Sequence, residues 1–236
     1  MRKKVSVCLA TYNGEEFIQE QIDSIISQLK DSDELIVSDD NSTDNTLKLV
    51  EGYNDARIKV IYNLGERGYS NNFENAINNA SGEYIFLSDQ DDVWMDDKIE
   101  TMLSELENYD LVISDALISD SNLAPTLGSH FANNGTKRGF FNNWIKTRYI
   151  GACMAFNRTI LTKLLPFPEN KKLCAHDYWI ALVGEKYYKV KLIDKPLIKY
   201  RRHGKNASTG GEKSNNSFVH KILVRIYSLN QLLKRI

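Results

Sequence analysis

The feature that most constrains this chain is an alternation of short, continuously apolar runs with segments of helical periodicity through its first 115 residues. Residues 5–10, 35–37, 58–62, 84–87 and 111–113 read as strands. Between them, Ile18, Ile22, Ile25, Ile26 and Leu29 repeat at the spacing of one helix face. Leu47 and Val50 mark a second helix, Phe73, Ala76, Ile77 and Ala80 a third, and Ile99, Met102, Leu103 and Leu106 a fourth. Asn13, with Glu16 three residues on, predicts a cap for the first helix, and Ser42-Thr43-Asp44 opens the second. Strands that are apolar throughout are covered on both faces. The fold class is therefore α/β, a mostly parallel central sheet with helices on both sides. Ligands of such sheets sit beyond the carboxyl ends of the strands. Asp39-Asp40 and Asp89-Gln90-Asp91-Asp92 come directly after the second and fourth strands.

The later sequence is less regular. Residues 119–147 are rich in Asn, Gly and Ser and read as a long loop or lid. Residues 150–156 read as a strand and 157–165 as a short helix stopped by Pro166 and Pro168. His176-Asp177-Tyr178-Trp179 opens another helix, and 190–193 and 197–200 read as two short strands. The expected organisation is one domain over 1–210, with halves at 1–115 and 116–210 that the resemblance described below implies bind a nucleotide and an acceptor. A basic amphipathic helix is expected over 211–236, and residues 205–217 are polar.

The 236 residues carry a net charge of -1, which argues against a nucleic-acid partner. That total hides a division. Residues 1–100 hold 9 basic and 21 acidic groups, net -12, whereas residues 186–236 hold 13 basic and 2 acidic groups, net +11. The pattern predicts a cation near one end and something anionic or membranous near the other. Three cysteines without paired spacing make neither a disulfide framework nor a zinc site, and Cys8 reads as a buried small hydrophobe. The basic start, Met1 to Lys4, precedes an apolar run too short for a signal peptide, and no window is apolar enough to span a membrane. The expected location is cytoplasmic.

Three carboxylates within Asp89-Gln90-Asp91-Asp92 repel one another unless a cation or proton relieves them. Hard oxygen donors suit Mg²⁺ or Mn²⁺. A calcium EF-hand fails, because Trp94 stands where its loop needs Gly. A phosphohydrolase of the haloacid-dehalogenase type, with Asp89 as nucleophile, is one alternative, and a catalytically inactive binding subunit (a sugar-nucleotide binder, given the resemblance described below) is another. The first strand ends in Thr11-Tyr12-Asn13-Gly14, with neither a dinucleotide-fold nor a P-loop glycine pattern. A nucleoside diphosphate would then need a metal for its phosphates, an aromatic for its base and an acid for the base edge. Tyr12 and Asp40 offer the last two.

Three runs together carry a resemblance: Val-Ser-Val-Cys-Leu-Ala-Thr-Tyr-Asn-Gly, Val-Ser-Asp-Asp-Asn-Ser-Thr-Asp, and Gly-Glu-Tyr-Ile-Phe-Leu-Ser-Asp-Gln-Asp-Asp-Val-Trp. They resemble the family 2 glycosyltransferases of GT-A fold, closely over 4–110 and loosely to about 210. The resemblance implies inverting transfer of a sugar from a nucleoside-diphosphate-sugar to a saccharide or lipid-linked acceptor. It implies donor binding by Thr11, Tyr12, Asp40 and Asp89. It implies a metal, Mg²⁺ or Mn²⁺, on Asp91 and Asp89 with His203, and Asp177 as the catalytic base. Tyr200-Arg201-Arg202-His203 matches a segment that closes over the donor diphosphate, so Arg201 and Arg202 are expected there, with Asn206 in the same loop. The processive Gln-x-x-Arg-Trp motif is missing, which favours single-sugar addition. The wording of the motifs is similar to bacterial rhamnosyltransferase-type members that build surface polysaccharides.

In the tail, Ile222, Leu223, Ile226, Leu229, Leu232 and Leu233 fall roughly on one face, among Lys221, Arg225, Lys234 and Arg235. Such a segment fits three roles: packing on its own domain, peripheral association with the inner membrane face, or a homodimer contact.

Overall fold

The computed structural model describes residues 4–204, 206 and 217–235. The predicted alternation is present: β1 (Val5–Thr11), α1 (Ile18–Ile26), β2 (Glu34–Asp39), α2 (Thr46–Glu51), β3 (Ile58–Tyr62), α3 (Tyr69–Asn79), β4 (Tyr84–Asp89), α4 (Lys98–Leu106) and β6 (Leu111–Ser119). A two-residue strand, β5 (Val93–Trp94), lies between β4 and α4. The helices form because their apolar faces are buried against the sheet. Ile18, Ile22 and Ile25 of α1 are wholly buried, each worth about 1.5–3 kcal/mol relative to exposure.

The predicted caps are not where the helices begin. Phe17 occupies the cap position of α1 without a side-chain bond. Gly14 O accepts from the N–H groups of Phe17 and Ile18 instead, each at 3.0 Å. Asn13, at φ 48°, turns its side chain to the neighbouring loop, where Oδ1 accepts from Thr43 N. A residue pulled into a loop–loop contact cannot also cap.

Among the described residues the sheet has nine strands, eight of them in the order β3-β2-β1-β4-β8-β6-β9-β5, while β7 pairs with β6 beyond its contact with β8. Here β7 is Pro125–Ser129, β8 Met154–Asn157 and β9 Val190–Arg201. The pairings put β1, β2, β3, β4, β6 and β9 in one direction and β5, β7 and β8 in the other. The sheet is thus mostly parallel, as expected. The chain winds outward through β2 and β3, then returns to place β4 on the other side of β1. That makes the β1–β4 boundary the topological switch point, where α/β sheets bind ligands. Register keeps the ends level, with Ala10 opposite Asp89 and Thr11 opposite Asp39.

Three expectations for the later chain are corrected. Residues 119–147 are not one long loop; they contain β7, α5 (His130–Asn134) and α6 (Phe140–Ile145). Buried Asp115 organises them, accepting from Phe131 N at 2.9 Å and from Ser129 Oγ. The two short strands are one, β9, whose pairing with β6 skips between Ile193 and Pro196. Proline lacks the ladder donor, so the strand bulges there and resumes. Residues 150–156 are strand only from Met154, after a 3-10 turn over Gly151–Cys153, and the next short helix, α7, is Leu161–Leu164. One sheet runs through both expected halves, and the 115/116 boundary falls inside β6. The 210/211 boundary lies outside the described residues, as do Met1 to Lys3 and most of 205–217.

α8 (His176–Tyr187) starts at the predicted residue and packs its middle into the core. α9 (Phe218–Leu233) closes the chain. Cys8, Cys153 and Cys174 are all buried and unpaired. Trp94 and Trp179 are core residues as well.

Candidate functional site

A cavity of about 1220 Å³ opens over the carboxyl ends of β1, β2 and β4. Thr11, Tyr12, Asp40, Asp89, Asp91 and Asp177, drawn from separate stretches of sequence, all line it. The strands carry the first five there because their ends are level; α8 brings the sixth by its N-terminus.

A residue without an expected role holds this edge together. Gln90 Oε1 accepts from Thr11 Oγ1 at 2.6 Å and Tyr12 N at 2.8 Å, and Gln90 Nε2 donates to Tyr12 O at 3.1 Å. One amide thus bridges β1 to β4 across the switch point. Gly14 allows its approach, since a Cβ there would stand 2.4 Å from Gln90 Oε1. Asn72 adds a second bridge, donating to Thr11 O and Ser38 O. Composition hides Gln90, because an amide between two acids reads as solvated loop. Tyr12 is 48% exposed and lines the cavity. Asp40 is buried, and its carboxylate accepts from Asn63 Nδ2 at 2.7 Å and Gly68 N at 2.8 Å. These bonds hold the 63–68 loop around it.

The acid loop meets the end of β9. Asp91 Oδ2 lies 2.8 Å from His203 Nε2 and accepts from Asn206 Nδ2 at 3.0 Å. Residues 112 positions apart thus converge as the motif reading expected. The His203 ring also packs against Phe17, at 4.7 Å between centroids. Arg201 has a different place from the expected one. It is buried and does not line the cavity. Its guanidinium donates to Asp91 O at 2.8 Å, to Ser121 O at 2.6 Å and to Glu20, and stacks over Phe17. Its N–H donates to Asp92 Oδ1 at 3.0 Å. Arg201 therefore fixes the backbone that presents Asp91. Arg202, bonded through its N–H to Ser119 O, does not line the cavity either. The Arg201 guanidinium is thus turned into the sheet edge and away from the cavity.

Charge accumulates on this wall. Burial first, then Asp91 and Asp177, push Asp89 up to about 7. Asp92, also buried, is raised by burial and by both neighbours. A carboxylate pushed up this far marks a site that favours a proton or a cation. Two carboxylates with an imidazole alongside fit a hard divalent ion that keeps open positions for phosphate oxygens. Among the described residues no group of three or more His, Cys, Asp or Glu side chains is arranged to enclose a metal by itself.

Asp177 sits in the first turn of α8, where Oδ1 accepts from Tyr178 N at 2.7 Å. Its charge contributes to the rise of Asp89, so the two carboxylates share one field. His176 beside it is wedged between rings, stacked on Phe73 at 4.4 Å, and its Nε2 has no partner among the described residues. Burial lowers its pKa below the usual imidazole range, against the pull of Asp177. Gly151 makes room for it, since a Cβ would stand 2.6 Å from that nitrogen. Tyr178 is mostly buried and donates to Trp144 O.

The opposite wall is basic. Lys146 and Arg148, from the loop after α6, line the cavity with Lys221 and Arg225 of α9; Arg67 stands at the rim beside Asp40. α9 packs on its own domain through buried Ser228 and Leu232, with Tyr187 Oη donating to Leu232 O. Leu232 therefore separates from the predicted apolar face. Phe218, Val219, Ile222, Leu223, Ile226, Leu229 and Leu233 all point to solvent. No described helix is long and apolar enough to cross a membrane.

Comparison with known proteins gives a consistent result. The family model described as "Glycosyl transferase family 2" matches residues 6–165. A dTDP-rhamnosyl transferase, RfbG, of Shigella flexneri is 31% identical over 215 residues, covering 84% of this chain and 72% of that protein. A UDP-Glc:alpha-D-GlcNAc-diphosphoundecaprenol beta-1,3-glucosyltransferase, WfgD, of Escherichia coli is 28% identical over 245 residues, covering 95% and 90%. The crystal structure of S. aureus TarS 1–349 superposes with a TM-score of 0.67 at 23% identity, over 98% of this chain and 72% of that one.

Proposed function

This chain belongs to glycosyl transferase family 2 and has the GT-A fold, and from that premise we propose that it moves a single sugar, with inversion, from a nucleoside-diphosphate-sugar to a saccharide or lipid-linked acceptor in bacterial surface polysaccharide synthesis. The observation that carries the reading is the convergence of Tyr12, Asp40, Asp89, Asp91 and Asp177 on one cavity at the switch point. The haloacid-dehalogenase alternative falls with the family assignment. The names of the two relatives favour a dTDP- or UDP-linked donor, and the second favours a lipid-linked acceptor.

In this reading Tyr12 packs on the nucleobase and Asp40 accepts from its edge. Asp89 orients the donor ribose or sugar. Asp91, aligned by Asn206 and His203, and Asp89 would hold Mg²⁺ or Mn²⁺, which supplies positive charge for the leaving diphosphate. Asp177 accepts the proton of the attacking acceptor hydroxyl as its oxygen bonds to the anomeric carbon. The nucleoside diphosphate departs from the opposite face with the bonding electron pair. The work is done at the inner face of the plasma membrane, a placement supported by the exposed apolar face of α9 and its neighbouring cations.

A thermal-shift panel of nucleoside diphosphates and nucleotide-sugars, with and without Mn²⁺, tests this. Stabilisation by one nucleotide class, larger with Mn²⁺ and lost in Asp91→Ala, is expected. No shift with any nucleotide would sink the reading.

A further inference from the structure

In the chemistry just described Asp177 must stand at a set place relative to the nucleotide, yet α8 does not fix its own start. Ala175, at the cap position, offers no side-chain acceptor to the free N–H groups of the first turn. The acceptor comes from another helix. Ser70 Oγ of α3 accepts from His176 N at 3.1 Å and lies 3.4 Å from His176 Nδ1. One buried hydroxyl thus meets both the backbone and the ring of residue 176. Phe73 supplies a floor, stacked on the His176 ring, and Tyr69 meets that ring edge-on at 5.6 Å. Glu74 accepts from Phe167 N at 2.6 Å and pairs with Lys171 at 2.8 Å. Ser70, Phe73 and Glu74 share one face of α3, and that face carries the segment leading into α8.

The start of α3 is also fixed to the donor strands. Gly68, at its cap position, donates its N–H to Asp40 Oδ2, and Asn72 Nδ2 ties the first turn to Thr11 O and Ser38 O. Gly68 sits at φ 130°, a backbone conformation that suits glycine. Gly68 and Ser70 are two positions apart, so the acid for the nucleobase edge and the start of α8 are held by the same helix turn. Burial first, then Asp177 and Asp89, raise the Tyr69 phenol above its usual value. Tyr69 therefore faces both the base and the acid loop from within the cavity.

Resting on the glycosyltransferase reading, we propose that Ser70 and His176 are positioning residues for Asp177: the Ser70 hydroxyl and the His176 ring, seated on Phe73, hold the first turn of α8 in register with Asp40. Neither side chain takes part in the reaction itself. They orient the carboxylate, and a displacement of about 1 Å is enough to spoil such an alignment. Nucleotide binding does not depend on them, because Tyr12, Asp40 and Asp89 stand on the strand ends.

The test uses the whole chain, with UDP-glucose and dTDP-rhamnose as donors, water as the acceptor, and release of the nucleoside diphosphate as the readout. Ser70→Ala should lower kcat about tenfold and leave KM for the donor unchanged. Ser70→Thr, which keeps the hydroxyl, should restore most of the rate. His176→Phe keeps a ring on Phe73 but removes Nδ1, and should lower kcat with KM again unchanged. The double variant should be no slower than Ser70→Ala, because both substitutions break one contact. Amide hydrogen exchange at His176 should quicken in Ser70→Ala. An unchanged kcat in both single variants, a raised KM as the main effect, additive losses in the double variant, or no rescue by threonine would overturn the assignment. Thermal melting checks folding; should Ser70→Ala unfold, His176→Phe decides alone. Should water prove too poor an acceptor, exchange decides, and an unchanged His176 amide in Ser70→Ala overturns the tie. A wild-type protein that binds no nucleotide would instead condemn the glycosyltransferase reading, whatever the exchange at His176 shows.

Discussion

The two walls of the cavity are built on different principles. The acid wall stands on strand ends and is locked by bonds between neighbouring strands and loops: Gln90 to Thr11 and Tyr12, Asn63 to Asp40, Asn206 to Asp91. The basic wall stands on a loop and a terminal helix, and Arg148 waits without a partner among the described residues. A wall that must orient a nucleotide and a cation gains from preorganisation, since little freedom is then lost on binding. Where the acids crowd, the sheet forces them together; where the cations gather, helix packing does so.

The sharpest way to break this division is at its boundary. Asp177→Asn keeps an oxygen for Tyr178 N but removes the proposed base. Transfer should fall about 10²- to 10⁴-fold, with donor affinity unchanged by thermal shift. Survival of transfer would place the base elsewhere. Next in size is the support behind the acid wall. Arg201→Met removes buried donors from Asp91 O and Ser121 O and leaves Glu20 unpaired. Stability should drop by about 2–4 kcal/mol in a urea titration, together with Mn²⁺-dependent donor affinity. A variant as stable as wild type would mean that Arg201 is not the prop of this loop.

A smaller effect should come from the clasp. Gly14→Ala drives a Cβ against Gln90 Oε1 and should cost about 1–3 kcal/mol, weakening nucleotide binding measured by thermal shift. Nucleotide binding as tight as in the wild type would show that the clasp does not shape the donor edge.

The smallest belongs to the far end of the sheet. Burial pushes Glu34 up, but hydrogen bonds from Ser6 and Ser81, helped by Lys4, outweigh it and hold Glu34 at about 2. A depressed folded pKa stabilises above the unfolded value, near 4.5, and that stability drains away as pH falls toward 2. Glu34→Gln should therefore cost about 1 kcal/mol at pH 7, with the difference shrinking at pH 3, and leave transfer intact. A loss of transfer in a variant of normal stability would show that the two ends of the sheet are coupled.

Particular residues show how far the sequence can be read. Asp40, Asp89 and Asp91 are legible because continuous apolar runs announce strands, and residues just past the end of a parallel strand lie at the ligand edge. Asp177 and His203 are legible only through the resemblance; alone, they read as a helix-turn acid and a surface histidine. Gln90 and Asn72 are not legible as bridges, since an amide shows its partners only once two strand ends are adjacent. Arg201 misleads because a cation near an expected phosphate says nothing of which way its strand turns. The basic wall is invisible as a wall: Arg148 and Lys221 are far apart in sequence, and only the packing of α6 and α9 brings them to one cavity.

The sequence by itself determined the α/β alternation, the parallel sheet and the acids at its edge, because burial on both faces leaves a local signature in every strand. The tertiary structure alone decided which charges are free and which are spent. Hydrogen-bond partners such as Glu20 and Ser121 for Arg201 are long-range neighbours, and no local pattern records them.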